Sequence, residues 1–233
     1  MTELMKERAQ HLIYRLLDPA VRGLLALGVT PNQVTLAGFG INVLAAGIFL
    51  LGGETGERGD FTYVGWGGAT ILFAGLFDML DGRLARVGGL SSKYGALFDS
   101  VLDRYSELFM FFGISWYLVS QDYLLSSLMA FLALIGSMMV SYIRARAEGL
   151  GISCAVGLMQ RPERIVLVGG SALLCGWLAP YFPTNWVLVS SAFREPFVVD
   201  ASLLFSIPLT VVAILSNYTA VTRLHHCRLQ LPD

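Results

Sequence analysis

The 233-residue chain is 55% hydrophobic and only 14% charged, against roughly 25% charged in soluble globular domains. Long uncharged runs account for this, so an ordinary soluble domain is excluded and an all-α, polytopic membrane protein is predicted. The net charge of −1 identifies no partner by itself, and no nucleic acid is expected.

Residues 1–28 are predicted to form an N-terminal juxtamembrane helix. Met5, Ala9, Leu12, Ile13 and Leu16 share one face, and Glu3, Lys6, Glu7 and Gln10 another. That amphipathic pattern suits a helix lying in the membrane interface. Pro19 is expected to break it in two, with Asp18 capping the second piece. The charged start lacks the short apolar core of a cleavable signal peptide.

Residues 29–233 are predicted to form one transmembrane domain of six helices. Thr30 is a natural N-cap, with Pro31 at the first helical position. The first span then covers roughly residues 32–53. A second, about 62–86, ends in Asp78, Asp81 and Arg86. The Gly88–Ser92 stretch is a turn, and a third span, about 92–119, carries Gly95, Asp99 and Asp103. A fourth ends near Glu148, a fifth runs from Arg161 to about residue 180, and a sixth covers about 199–221. Residues 181–198 read as an external loop. The sixth span ends in Arg223, His225, His226 and Arg228, of which the two histidines, being adjacent and unable to share a helix face, read as a solvated tail and not as ligands. Cys154, Cys175 and Cys227 lack zinc spacing and are odd in number, so isolated reduced thiols are expected.

The basic residues orient these spans. Lys6, Arg8, Arg15, Arg22, Arg83, Arg86, Lys93, Arg144, Arg146, Arg161, Arg164, Arg223 and Arg228 fall on one side. Only Arg58 and Arg194 fall on the other, with Arg104 inside a span. The positive-inside rule puts both termini and the aspartates at the cytoplasmic face, in bacterial terms of the inner membrane.

Four carboxylates dominate this membrane chain. Asp78 and Asp81 are three apart and Asp99 and Asp103 four apart, so each pair shares a helix face. Ala85 and Gly95 stand one turn from their pairs and leave room for close approach of a ligand. Clustered carboxylates in a low-dielectric setting call for divalent cations, and oxygen-only ligation suits Mg²⁺, Mn²⁺ or Ca²⁺. Structural salt bridges or an ion or proton pathway are the alternatives; a transporter would need carboxylates near mid-membrane, whereas these crowd one surface.

The string resembles the signature of the CDP-alcohol phosphotransferase family, D-x2-D-G-x2-A-R-x8-G-x3-D-x3-D. Asp78, Asp81, Gly82, Ala85, Arg86, Gly95, Asp99 and Asp103 match every fixed position. Thr-Pro-Asn-x-Val-Thr, residues 30–35, also resembles the start of that family's first transmembrane helix. The resemblance implies a metal-dependent transferase that moves a phosphatidyl-type group from a CDP-lipid such as CDP-diacylglycerol to an alcohol, releasing CMP. It implies two Mg²⁺ or Mn²⁺ ions on Asp78, Asp81, Asp99 and Asp103, with Asp103 as general base. Asn32, Thr35, Asp78, Gly82, Ala85, Arg86 and Gly95 would hold the nucleotide, and a homodimer among membrane lipids is implied.

Tyr-x-Arg-Ala-Arg-Ala-Glu and Gly-x-x-x-Arg-Pro-Glu-Arg are similar to segments of the phosphatidylinositol-phosphate synthase branch. They imply a phosphorylated acceptor, inositol phosphate first and glycerol 3-phosphate as the alternative, gripped by Arg144, Arg161, Arg164 and Arg223. Arg161 and Arg164 also open a helix, where backbone N–H groups favour an anion. Plain topology would place basic residues here too.

Overall fold

The computed structural model describes residues 17–182, 186–188, 197–199 and 201–231. Most of the expected amphipathic helix, and Arg194, lie outside the described residues. Helix α1 spans residues 17–26 and is followed by α2 (Pro31–Thr55), α3 (Thr62–Val87), α4 (Lys93–Ser120), α5 (Leu124–Glu148), α6 (Arg161–Leu178) and α7 (Leu203–Gln230). Within the expected external loop, Trp186–Leu188 (β1) and Phe197–Val199 (β2) pair as a short antiparallel ribbon.

Among the described residues, five helices are long and apolar enough to cross a membrane: α2, α3, α5, α6 with its following 3₁₀ turn, and α7. The expected polytopic all-α architecture is present, and the count of six spans is not reached by length and composition alone. Helix α4 has the length, but Lys93, Asp99, Asp103, Arg104 and Glu107 carry charge from its start to its middle.

Two expectations are corrected. Residues 17–20 are continuously helical through Pro19. Asp18 caps nothing there; it accepts from Arg83 Nε at 2.9 Å. Helix α7 does not stop near residue 221. Thr219, Arg223 and Cys227 repeat at four-residue spacing on its buried face, so the packing that holds the span continues to Cys227 and the helix to Gln230. The two histidines are therefore helical: His225 is exposed, and His226 Nε2 lies 2.7 Å from Gln230 Nε2.

The chain divides into two compact units, one of the chain up to Ile41 with Phe73–Tyr105, the other of Asn42–Leu72 with Ser106 onward. In the first, Val21, Val34 and Leu84 form the core, joined by Leu24, Leu25, Phe77 and Leu80. Helix starts and stops here obey local chemistry. Gln33 Oε1 accepts from the Thr30 N–H at 2.8 Å while the Thr30 carbonyl accepts from Gln33 and Val34, half of a capping box. Gly89, at φ +62°, ends α3 in the left-handed conformation that lets Leu90 N–H reach the Ala85 carbonyl. Ser92 Oγ then accepts from Gly95 N–H at 2.9 Å and caps α4.

In the second unit a large core gathers Phe49, Ile71, Phe111, Ile114, Tyr117 and Leu209. A smaller one joins Val140, Ile143, Ile152, Cys154, Ala220 and Cys227. Cys154 and Cys227 are therefore neighbours, not isolated thiols, though no cysteine is in a disulfide. In lipid, helices associate by close packing of small residues. Here the α3 residue Gly68 packs on α6: a Cβ added to Gly68 would stand 2.4 Å from Leu173 N and 2.6 Å from the Gly169 carbonyl oxygen. Backbone cannot yield cheaply, so Gly68→Ala is expected to lower stability by about 1–3 kcal/mol. Gly47→Ala, with nothing within 4 Å, should leave the unfolding midpoint in detergent unchanged or slightly raised.

Candidate active site

The first unit holds the signature. Asn32 and Thr35 of α2, Asp81, Gly82, Ala85 and Arg86 of α3, and Gly95 and Asp99 of α4 line one pocket of about 190 Å³, with Ser91 and Ser92 of the connecting turn. The turn caps described above bring these elements together. Asp78 and Asp103 lie outside that lining. Asp78 is half-buried and its Oδ1 stands beside Gly38, 3.7 Å from where a Cβ on that glycine would be; Asp103 is also half-buried.

Asp81 is the deepest of the four carboxylates, at 5% exposure. The Thr35 hydroxyl donates to its Oδ2 at 2.7 Å and also lies 3.0 Å from the Pro31 carbonyl. The charges of Asp99 and Asp78 both act on Asp81. A buried carboxylate beside two like charges is poorly stabilised by protein alone. The all-oxygen donor set fits a hard divalent cation. Among the described residues no three acidic, His or Cys side chains form a ready ligating group, so Asp78, Asp81 and Asp99 are within electrostatic reach of one another without standing in ligating register.

The glycines leave the space that the sequence reading requires. A Cβ on Gly95 would meet Ser92 Oγ at 3.0 Å and Asn32 Oδ1 at 3.3 Å, and one on Gly82 would touch the Arg86 guanidinium at 3.7 Å. Gly95→Ala would therefore crowd the floor of the pocket. It is expected to weaken binding of a CDP-lipid by roughly threefold to thirtyfold, the range of about 0.6–2 kcal/mol, with little change in folding. Equilibrium binding of a labelled CDP-lipid measures this.

The four arginines occupy the second unit in different settings. Arg144 is half exposed and donates from Nε to Glu148 Oε1 at 2.8 Å. Arg161 begins α6. Arg164 is 1% exposed: its Nε and one terminal nitrogen donate to Glu107 Oε1 at 3.1 and 2.7 Å, and its other terminal nitrogen to the Met159 carbonyl at 3.0 Å. Arg223, also buried, donates to the carbonyls of Val156 and Val140, both at 2.7 Å. The charges of Arg144 and Arg164 act on Arg223, so these three form one electrostatic neighbourhood. Two of its members already hold backbone and Glu107.

Glu107 escaped the sequence reading. It follows Asp99 and Asp103 at the same four-residue step, D-x3-D-x3-E, which places it on the face of α4 that carries the signature. That spacing was the available signal. Ser92 was legible only as part of a turn.

Residues 28–195 match the family model described as CDP-alcohol phosphatidyltransferase. The phosphatidylinositol phosphate synthase of Mycolicibacterium smegmatis is 32% identical over 219 residues, covering 92% of this chain and 84% of the relative. The archaetidylinositol phosphate synthase of Pyrococcus horikoshii is 40% identical over 147 residues, 62% of this chain and 70% of the relative. The crystal structure of the Mycobacterium tuberculosis phosphatidylinositol phosphate synthase with CDP-DAG bound superposes with a TM-score of 0.71 at 31% identity, covering 91% of this chain and 94% of that one. The same enzyme in complex with manganese and citrate gives 0.69 at 30% identity, covering 90% and 88%.

Proposed function

Because this chain belongs to the CDP-alcohol phosphatidyltransferase family, we propose that it transfers the phosphatidyl group of a CDP-diacylglycerol to a hydroxyl of an inositol phosphate and releases CMP. The observation that carries this reading is the pocket lined by both halves of the signature, with Asn32 and Thr35 beside them. The choice of acceptor is supported by the similarity to phosphatidylinositol phosphate synthases over nine-tenths of the chain.

In this reading the cytidine lies against Gly82 and Ala85, whose own side chains are minimal, with Asn32, Thr35 and Gly95 forming the rest of its bed. Arg86 pairs with a phosphate. Asp78, Asp81, Asp99 and Asp103 would hold divalent ions, two Mg²⁺ or Mn²⁺. When bound, these supply Lewis-acid polarisation of the pyrophosphate and neutralise charge on the departing CMP. Asp103 takes the proton from the attacking acceptor hydroxyl. That oxygen bonds to the lipid-bearing phosphorus as the bond to the CMP oxygen breaks. The role of Asp103 depends on positioning more than on high basicity. Arg144, Arg161, Arg164 and Arg223 supply the positive charge that draws the phosphate of the acceptor. The lipid tails remain in the bilayer, which is why the catalyst is a membrane protein. Both termini and the aspartates facing the cytoplasm, and a homodimer, complete the proposal.

The test offers purified protein, a CDP-lipid and Mg²⁺ with inositol 1-phosphate, glycerol 3-phosphate, inositol or serine in turn. Radiolabel should enter lipid with inositol phosphate and hardly at all with free inositol. Faster incorporation of glycerol 3-phosphate, or equal use of unphosphorylated inositol, would overturn the acceptor assignment.

A further inference from the structure

Beyond the transfer reaction, we propose that Cys154 and Cys227 are a peroxide-oxidisable dithiol, whose disulfide straps the loop between α5 and α6 to the end of α7. The Cys227 thiol donates to Cys154 Sγ across 3.2 Å, and neither sulfur is in a disulfide. Bond formation needs the sulfurs to close by only on the order of 1 Å. The loop has the freedom to follow, since Gly151 and Gly157 hold positive φ on either side of Cys154.

The two thiols differ in a useful way. Cys227 is 8% exposed and Cys154 only 1%, so a small peroxide reaches Cys227 first. Its sulfur attacks one peroxide oxygen, the O–O bond breaks, and a sulfenic acid and one water result. Cys154 sulfur then attacks the sulfenic sulfur; the S–S bond forms and a second water leaves with the remaining proton. Two thiols lose two electrons, and the peroxide gains them. Burial pushes the Cys154 thiol up to about 11. It is thus a poor nucleophile towards dissolved oxidants and is directed to the sulfur it already touches.

The strap would matter because this loop supports charged groups. Val156 and Met159 supply the carbonyls that hold Arg223 and Arg164, and Met159 N–H donates to Thr219 Oγ1 at 3.3 Å. Drawing Cys154 towards α7 tightens the same segment.

The experiment treats the full chain in detergent with hydrogen peroxide, alkylates remaining thiols and maps peptides by mass spectrometry. A cross-linked peptide pair containing Cys154 and Cys227 is expected, with Cys175, which donates to the Ala201 carbonyl, still alkylated. Cys227→Ser and Cys154→Ser should each abolish the link. The unfolding midpoint should rise by roughly 5–10 °C in the oxidised parent only. Full alkylation of both thiols after oxidation, or Cys227 recovered as sulfinic acid without a link, would overturn the proposal. A second arm rests on the proposed transfer to a phosphorylated acceptor. Oxidation should change the acceptor KM by about threefold or more, and leave the CDP-lipid KM alone. An unchanged acceptor KM in cross-linked protein would remove the regulatory meaning. Reduced protein inactive with every acceptor would overturn the transferase reading and leave the cross-link standing.

Discussion

Arg164→Ala is expected to destabilise the protein by about 3–5 kcal/mol, a large share of any membrane helix packing, because it strips the only cation bonded to a buried carboxylate among the described contacts. Glu107 is 2% exposed, its Oε1 is shared by two nitrogens of Arg164, and its Oε2 is buried with no hydrogen-bond partner. Removing the guanidinium leaves that carboxylate without compensation and also frees the Met159 carbonyl. Reversible unfolding in detergent should show the loss. Glu107→Ala should resemble it, while the double replacement Glu107→Leu with Arg164→Met should recover most of the stability, since a buried pair adds little over well-packed apolar groups. Full stability of Arg164→Ala would mean the pair carries no structural weight. A consequence touches the acceptor: kinetics of Arg164→Ala would mix folding with binding. Arg144→Ala is cleaner, because an exposed pair with Glu148 contributes only about 0–1 kcal/mol. If Arg144 grips the acceptor phosphate, its loss should raise the acceptor KM by roughly tenfold or more and leave the CDP-lipid KM unchanged.

The second large effect lies in the aspartates. Asp81→Asn should lower turnover by at least about 10²–10³-fold, the scale of losing one electrostatic contact to the charge that builds on the leaving group, yet leave the fold intact. The neutral amide oxygen can still accept from Thr35, and the repulsion from Asp78 and Asp99 disappears. A chelator should abolish activity in the parent, and Mg²⁺ or Mn²⁺ should restore it. Asp103→Asn should reduce kcat strongly with little loss of CDP-lipid binding, as befits a base acting in the transition state. Substantial turnover by Asp81→Asn, or in excess chelator, would remove the metal-assisted mechanism.

Much of this molecule was legible in one dimension because its determinants are local. Helix identity, the cap at Thr30 and the turn at Gly88–Ser92 follow from apolar run length and from which residues can satisfy terminal N–H and C=O groups within a few positions. The signature was legible for a related reason: Asp81, Gly82, Ala85, Gly95 and Asp99 sit on two consecutive helices joined by a short turn, so spacing along the chain nearly dictates spacing in the pocket. Tertiary structure decided what depends on distant partners. Asp18 meets Arg83 across 65 positions, Arg164 meets Glu107 across 57, and Cys227 meets Cys154 across 73. No periodicity encodes such pairings. Hence an expected cap became an ion pair, an arginine read for phosphate or for topology proved to be the buried partner of Glu107, and two thiols read as isolated came into contact. The far end of α7 was misjudged on the same ground. Its residues are polar enough to look like a tail, yet Arg223 and Cys227 pack against α5 and the α5–α6 loop, and the helix continues past them.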